Sequence, residues 1–421
     1  METYGWDTVY SININRVNSV LAENMNTLPQ LIDYSTEIEG MHSHIQCNLA
    51  PWEIVKGGSG KLLHLKIPIV NGMLQINSNS KEISNVDVIV QVSLQFLPSN
   101  IDPSKHELMF NISELGAIGS KKEGAVSPVT VIDRAGCLSE TAKNIVLWLV
   151  AKYLVERASI ISYVFAQINY VKPGTDTWLS PKQCTYAYVE SQEGNGYLSI
   201  LSVTTDRDMS GLPLLVDPSM MSENANAAYL ISKDMILQNI IMPMLPSMYP
   251  GSRPDGFYMN SNHCIVNSGS LGTPPVTAGL ITYYPRITHL NMTVEGGDLK
   301  TSVDGFCDLY ANITMNFSIK IKNNSEFNPA TSSIAFYEDP DPRNDYSQDI
   351  PWYLLWLNLI VGIIVRIVVK IIADSIAQTL QSGSQSFATS PPPFIDWTGV
   401  NNAMQVTDAG LDNCYYLKGN I

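Results

Sequence analysis

From Trp352 to Ile372 nearly every residue is apolar, yet Asn358, Arg366 and Lys370 interrupt the run. A membrane-spanning helix wants about twenty predominantly apolar residues, and a charge at the bilayer centre costs about 3 kcal/mol. The segment therefore predicts a helix, from Pro351 to Leu380, that takes its cover from protein rather than from acyl chains. Arg366, Lys370 and Asp374 recur every fourth residue and share one stripe. Leu354, Leu357, Ile360, Val361, Ile364 and Val368 lie away from that stripe and are the candidate lining of an apolar interior. A flat antiparallel sheet covers one side of such a helix, so the pattern calls for a sheet rolled around it. The alternative is an imperfect single span acting as a membrane anchor.

The rest of the chain supplies the strands. Leu62 to Ile69, Val86 to Leu94 and Val129 to Ile132 alternate or run β-branched, as do Tyr163 to Val171, Thr185 to Val189 and Tyr197 to Val203. Glu193-Gly194-Asn195-Gly196 marks a hairpin between the last two. Helical spacing is read from Asp7, as N-cap, to Met25, and again from Leu138 to Ile161. The second half repeats the order. A helix is expected over Asn224 to Met242, ended by Pro243 and Pro246. Strands follow at Gly279 to Tyr284, Ile287 to Val294, Leu309 to Ile321 and Ser333 to Tyr337. After the apolar helix, Pro391-Pro392-Pro393 breaks the chain and Met404 to Leu417 runs extended. Helix, strands, helix, strands thus appears twice at an offset of about 215 positions, which divides the chain at 1–215 and 216–421. Pro68, Gly72, Pro285, Gly296-Gly297 and Gly305 are the places where the strands would bulge and bend. The expected fold class is α+β, with strongly curved antiparallel sheets wrapped around long apolar helices in an elongated molecule.

Composition narrows the function. The 421 residues carry a net charge of −14 with only 25 basic residues, which argues against nucleic acid, whose phosphates need a basic face. No basic and apolar leader precedes Thr3, so the chain is expected to be soluble and released, if at all, without a conventional signal peptide. The six cysteines show no CxxC spacing, which points to reduced buried thiols.

The opening Thr3-Tyr4-Gly5-Trp6-Asp7, followed by Val9, Ile12, Val17, Val20 and Leu21, resembles the forty-seven-kilodalton proteins encoded beside botulinum-type neurotoxins in clostridial OrfX gene clusters. Tyr4 and Trp6 would anchor this start by burial while Gly5 permits a tight entry. The resemblance implies the tubular lipid-binding (TULIP) fold. It also implies contact with a lipid, phosphoinositide-like or other, with a peripheral membrane surface, and with other OrfX-cluster proteins or the neurotoxin complex. It brings no catalytic residue and no cofactor.

Local chemistry agrees. Val55-Lys56-Gly57-Gly58-Ser59-Gly60-Lys61-Leu62 fails as a phosphate loop at both ends, having Val55 for glycine and Leu62 for a hydroxyl, and reads as a hairpin loop. His42 and His44 share a strand face without a third ligand nearby. The run from Glu338 to Asp349 lacks the turn glycine of an EF-hand and reads as a solvated loop before the apolar helix. Asn111, Asn291, Asn312, Asn316 and Asn323 sit in glycosylation triplets that stay idle without export. The expected protein is a non-enzymatic toxin accessory that binds lipid or a membrane surface. The competing reading is a protein-interaction component of the same fold whose tube is filled by side chains.

Overall fold

The computed structural model describes residues 1–421 apart from 39, 171–177, 192–194, 222–223, 351–353, 356, 384–386, 388–390, 393 and 401–403. Trp352, Val171, Glu193, Gly194 and Pro393 of the expectations above lie outside the described residues. Two compact units form, each discontinuous in sequence. The first comprises Val9–Ala227 with Pro392–Ala403 and Ile421; the second comprises Met1–Thr8, Ala228–Pro391 and Met404–Asn420.

The first unit begins with a strand where helical spacing predicted a helix. Thr8–Asn13 is buried on both faces, so no polar alternation betrays it, and its β-branched and aromatic residues suit a pleated core. Asp7 caps nothing. Asn13 instead caps the helix Ile14–Glu23, its Oδ1 accepting from the Asn15 N–H at 2.7 Å, and Ile14, Val17, Val20 and Leu21 form the buried face. Trp6 is buried as expected, whereas Tyr4 sits at φ 50° in a turn and is exposed.

The main sheet of this unit is antiparallel and runs Leu31–Ile38, Met41–Leu49, Leu62–Ile76, Asn79–Pro98, Lys105–Asn111, Val164–Asn169, Ile395–Trp397. Two strands are long enough to take different neighbours along their length. Leu62–Ile76 pairs with Met41–Leu49 at one end and Glu53–Ser59 at the other, and Asn79–Pro98 divides in the same way between Lys105–Asn111 and Ala125–Asp133. The register slips between Asn48 and Leu49, opposite Asn71 and Ile69, next to Gly72, where a Cβ would strike the Gln46 carbonyl and Cys47. Val55 to Leu62 is a hairpin, with Gly60 at φ 59°. Gln183–Glu190 and Gly196–Val203 pair in full register. The helix Glu140–Glu156, capped by Ser139, packs against strands Leu31–Ile38, Met41–Leu49, Asn79–Pro98 and Ala125–Asp133. Ile145, Val146, Leu149, Tyr153 and Leu154 are buried as read, and so are Leu147 and Ala151 on its other faces.

The second unit opens the same way. Ala227–Ser232 is a buried strand and Ser232 caps the helix that follows, so the helix begins at Lys233 rather than near Asn224. Neither proline ends it. A π turn, Leu237–Ile241, resets the hydrogen-bond register ahead of Pro243, which falls at the start of the last segment, Met242–Met248, where its missing N–H costs little.

The sheet runs Phe257–Met259, Ile265–Asn267, Arg286–Glu295, Asp298–Asp308, Thr314–Asn328, Ser333–Phe336. Gly305 accompanies a slip between Ile287 and His289, and a Cβ there would strike the Arg286 carbonyl and Phe317. Gly296 and Gly297 form a hairpin turn instead of a bulge. The acidic run is not simply a loop: Arg343–Gln348 is an exposed strand paired with Thr314–Asn328, and Asp339 Oδ2 accepts from the Lys322 N–H at 2.8 Å. Met404 to Leu417 turns back at Asn413, φ 55°, into the hairpin Gln405–Leu411 with Cys414–Asn420.

One shift relates the two halves. Thr8–Asn13 recurs as Ala227–Ser232, 219 positions on (232 minus 13), and the same shift carries the hairpin turn after Ile76 to that after Glu295. It also places the helix Glu140–Glu156 within Leu357–Gly383.

Candidate functional site

The last helix, Leu357–Gly383, is two-faced. Of the six residues singled out as lining, Leu357, Val361, Ile364 and Val368 are fully buried, Ile360 is half-buried on the flank, and Leu354 is half-buried ahead of the helix. The buried face packs on Thr314–Asn328, whose alternation turns Met315, Phe317, Ile319 and Ile321 inward. Gln348 Nε2 donates to Asn358 Oδ1 at 3.1 Å and ties the sheet edge to the first turn of the helix.

At its far end the helix meets Met242–Met248, and the void between them, bounded by Ile241, Met244, Leu245, Met292, Ile376 and Leu380, measures about 10 Å³. That is about the room of one water and far below the several hundred Å³ of a lipid-sized pocket. This part of the interior is packed solid.

The opposite face was misread. Leu355, Leu359 and Ile363 are 58%, 75% and 38% exposed, and Arg366 and Lys370 continue the same exposed stripe. The helix is therefore not hidden all round: three residues back from Arg366 lies Ile363, and four further back Leu359, both facing water. The signal lies in the spacing of the charges, which extends back along the stripe to Ile363 and Leu359. Among the described residues no helix is long and apolar enough to cross a membrane.

Each sheet also carries an open polar groove beside its bend glycine. One, of about 610 Å³, adjoins Gly72 with Asn48, Asn71 and Glu82; the other, of about 300 Å³, adjoins Gly305 with Asn316, Asp345 and Tyr346.

No three metal-ligating side chains gather among the described residues, and His44 is engaged instead with Asp33, Nε2 to Oδ1 at 2.9 Å. Desolvation holds three buried cysteines protonated, Cys47 raised to about 12 and Cys184 and Cys307 to about 11, which makes them poor nucleophiles at neutral pH.

Comparison with known proteins places this architecture. The model of the OrfX-like family, described as Protein OrfX2/OrfX3/P47, matches residues 3–385. Protein P47 of Clostridium botulinum (strain Kyoto / Type A2) is 28% identical over 360 residues, spanning 82% of this chain and 83% of its own length. Protein OrfX3 of the same strain is 26% identical over 287 residues, 61% of this chain and 56% of its own length. The solved structure of P47 from Clostridium botulinum A2 covers 100% of this chain and 98% of that one, with TM-score 0.74 and 25% identity. That of P47 from Clostridium botulinum E1 covers 99% of each with TM-score 0.67, a likeness of fold at 24% identity. The mostly antiparallel architecture with few helices is theirs.

Proposed function

The chain belongs to the OrfX-like family of OrfX2, OrfX3 and P47 proteins, and from that premise we propose that it is a non-enzymatic accessory protein of a botulinum-type neurotoxin gene cluster, soluble and released, that works by binding a lipid membrane surface. One observation carries the proposal: the face of the last helix bearing Leu359, Ile363, Arg366 and Lys370 is exposed while its other face is fully buried. An apolar stripe with a basic edge is the composition that favours a bilayer interface over water.

Each unit is also read as TULIP-like, a curved antiparallel sheet around its long helix. Burial of most of the circumference of Glu140–Glu156, with strands from four parts of the chain against it and an exposed edge at Thr141 and Asn144, supports this, as do the bends at Gly72 and Gly305. In the second unit the near-solid packing around Ile376 and Leu380 favours a lipid held at the surface rather than inside.

A second reading keeps a claim from the same packing: a tube filled by side chains suits a component that binds other cluster proteins and no lipid. Flotation of the purified full chain with phosphatidylcholine vesicles, with and without a phosphoinositide or phosphatidylserine, decides between them. Co-flotation that weakens in Leu359→Asp and in Arg366→Glu/Lys370→Glu is expected. A chain that stays at the bottom of the gradient and yields no lipid on organic extraction leaves only the second reading.

A further inference from the structure

Exposed apolar residues of the second unit gather at one end of its sheet. The pairing Arg286↔Phe306, Phe306↔Asn316 and Asn316↔Ser347 defines that end. From it springs the hairpin Val276–Ala278 with Ile281–Tyr283, its base closed by Thr273, whose Oγ1 donates to the Pro285 carbonyl at 3.0 Å. Val276, Ala278 and Tyr283 are buried and the first strand of the hairpin packs on the last helix, so the hairpin is braced rather than loose. Its tip is the opposite: Leu280 is fully exposed and Ile281 is 38% exposed, while Tyr284, at the base beside Pro285, is 69% exposed. Tyr310, in the turn that joins Asp308 to Thr314, is 56% exposed at the same end, and Gln348 brings the first turns of the last helix, with Leu355 and Leu359, to it.

A braced hairpin that presents a fully exposed leucine at its apex, springing from the sheet end that also carries the exposed Tyr284 and Tyr310, is built for contact. The shape selects the contact. A projecting tip offers no groove to a peptide, whereas a leucine flanked by tyrosines, with Arg286 exposed at the hairpin base and Arg366 and Lys370 on the helix stripe, matches the layering of acyl chains, interface and anionic head groups. Asp308 and Asp345 also lie at this end, engaged with Thr314 Oγ1 and the Tyr346 N–H, so apolar entry rather than charge alone must hold the tip. We propose that this end of the second unit is a membrane-insertion edge, in which Leu280 enters the acyl boundary while Tyr284 and Tyr310 sit at head-group depth. The inference rests on the membrane-surface reading and specifies which residues enter.

The test places an environment-sensitive fluorophore on Leu280→Cys, in full-length protein carrying Cys137→Ser and Cys264→Ser, and titrates vesicles of phosphatidylcholine with phosphatidylserine. A blue shift at position 280, absent from the same label on Ile101→Cys of the first unit, is expected. Leu280→Asp should float with the same vesicles at least about tenfold more weakly while its thermal unfolding matches wild type. Wild-type flotation with an unshifted label and an unimpaired Leu280→Asp overturns the insertion edge and leaves the surface reading standing. No flotation of the wild type overturns both. A shift that needs protein concentration and no vesicle indicates self-association at the tip and also overturns the proposal.

Discussion

Asn18 and Ile54 hold each other by two hydrogen bonds: the Ile54 N–H donates to Asn18 Oδ1 at 2.8 Å, and Asn18 Nδ2 donates to the Ile54 carbonyl at 2.9 Å. The amide thus completes a strand edge with the helix Ile14–Glu23, in a place where the Ile54 side chain is fully buried. Asn18→Ala leaves a backbone donor and acceptor without partners and should cost about 2 kcal/mol. Asn18→Asp should cost at least as much, since its carboxylate faces the Ile54 carbonyl. Urea unfolding followed by fluorescence reports both as a lower midpoint; an unchanged midpoint would mean water satisfies the strand edge.

The two bend glycines make a second prediction. Gly72→Ala and Gly305→Ala push a methyl group into the neighbouring strand's backbone and should each destabilise by about 1–3 kcal/mol. Gly211→Ala, with open space around it, should be neutral within about 0.5 kcal/mol. Thermal unfolding of the three variants under one buffer separates close approach from simple loss of backbone freedom.

Alkaline pH should unfold the protein, and the sign follows from burial. Desolvation raises the Cys184 thiol to about 11 from an ordinary value of 9.0, and burial pushes Tyr163 and Tyr249 well above the ordinary phenol range. Below the ordinary values both states are protonated and stability is full. Above them the unfolded chain releases protons that the folded chain keeps, so stability falls by up to about 1.4 kcal/mol per pH unit for each such group. The urea midpoint should be level from pH 7 to roughly 8.5, decline above 9 as thiols titrate and steepen above 10 as phenols join. Cys184→Ala should remove its share of the slope between 9 and 11.

Where sequence succeeded and failed has a physical pattern. Leu62 to Ile69 alternates because one face of its sheet meets solvent, and the helix Glu140–Glu156 is flagged by Ser139 and a polar edge. Thr8–Asn13 and Ala227–Ser232 escaped for one shared reason: strands buried on both faces lose the period-two signal, and the helix that follows lends them its own. Arg343–Gln348 escaped because an exposed edge strand has no apolar side to show. At the site, the stripe of Arg366 and Lys370 located the buried face through Val361, Ile364 and Val368, but the expected all-round wrapping fails at Leu359 and Ile363, whose apolar side chains lie on that same exposed stripe. Leu280 falls in the expected strand Gly279 to Tyr284 but sits in the turn between two short strands, Val276–Ala278 and Ile281–Tyr283, so the strand pattern hides the exposed tip.

The two faces of the last helix should respond oppositely to truncation. Ile364 and Ile376 are completely buried and the void near Ile376 is only about 10 Å³, so removing methylenes opens a cavity that the packed surroundings cannot fill. Ile364→Ala and Ile376→Ala should each cost about 2–5 kcal/mol with vesicle flotation unchanged at temperatures where they stay folded. Leu359→Ala, at 75% exposure, should leave the unfolding midpoint within about 0.5 kcal/mol of wild type and weaken flotation instead. If a lipid filled the interior beside Ile364, truncation there would enlarge an occupied space, stability would depend on added lipid, and extraction would return it in fixed ratio to protein. A stability cost independent of lipid, together with a flotation defect confined to the outer stripe, places binding on the surface of the helix and not beneath it.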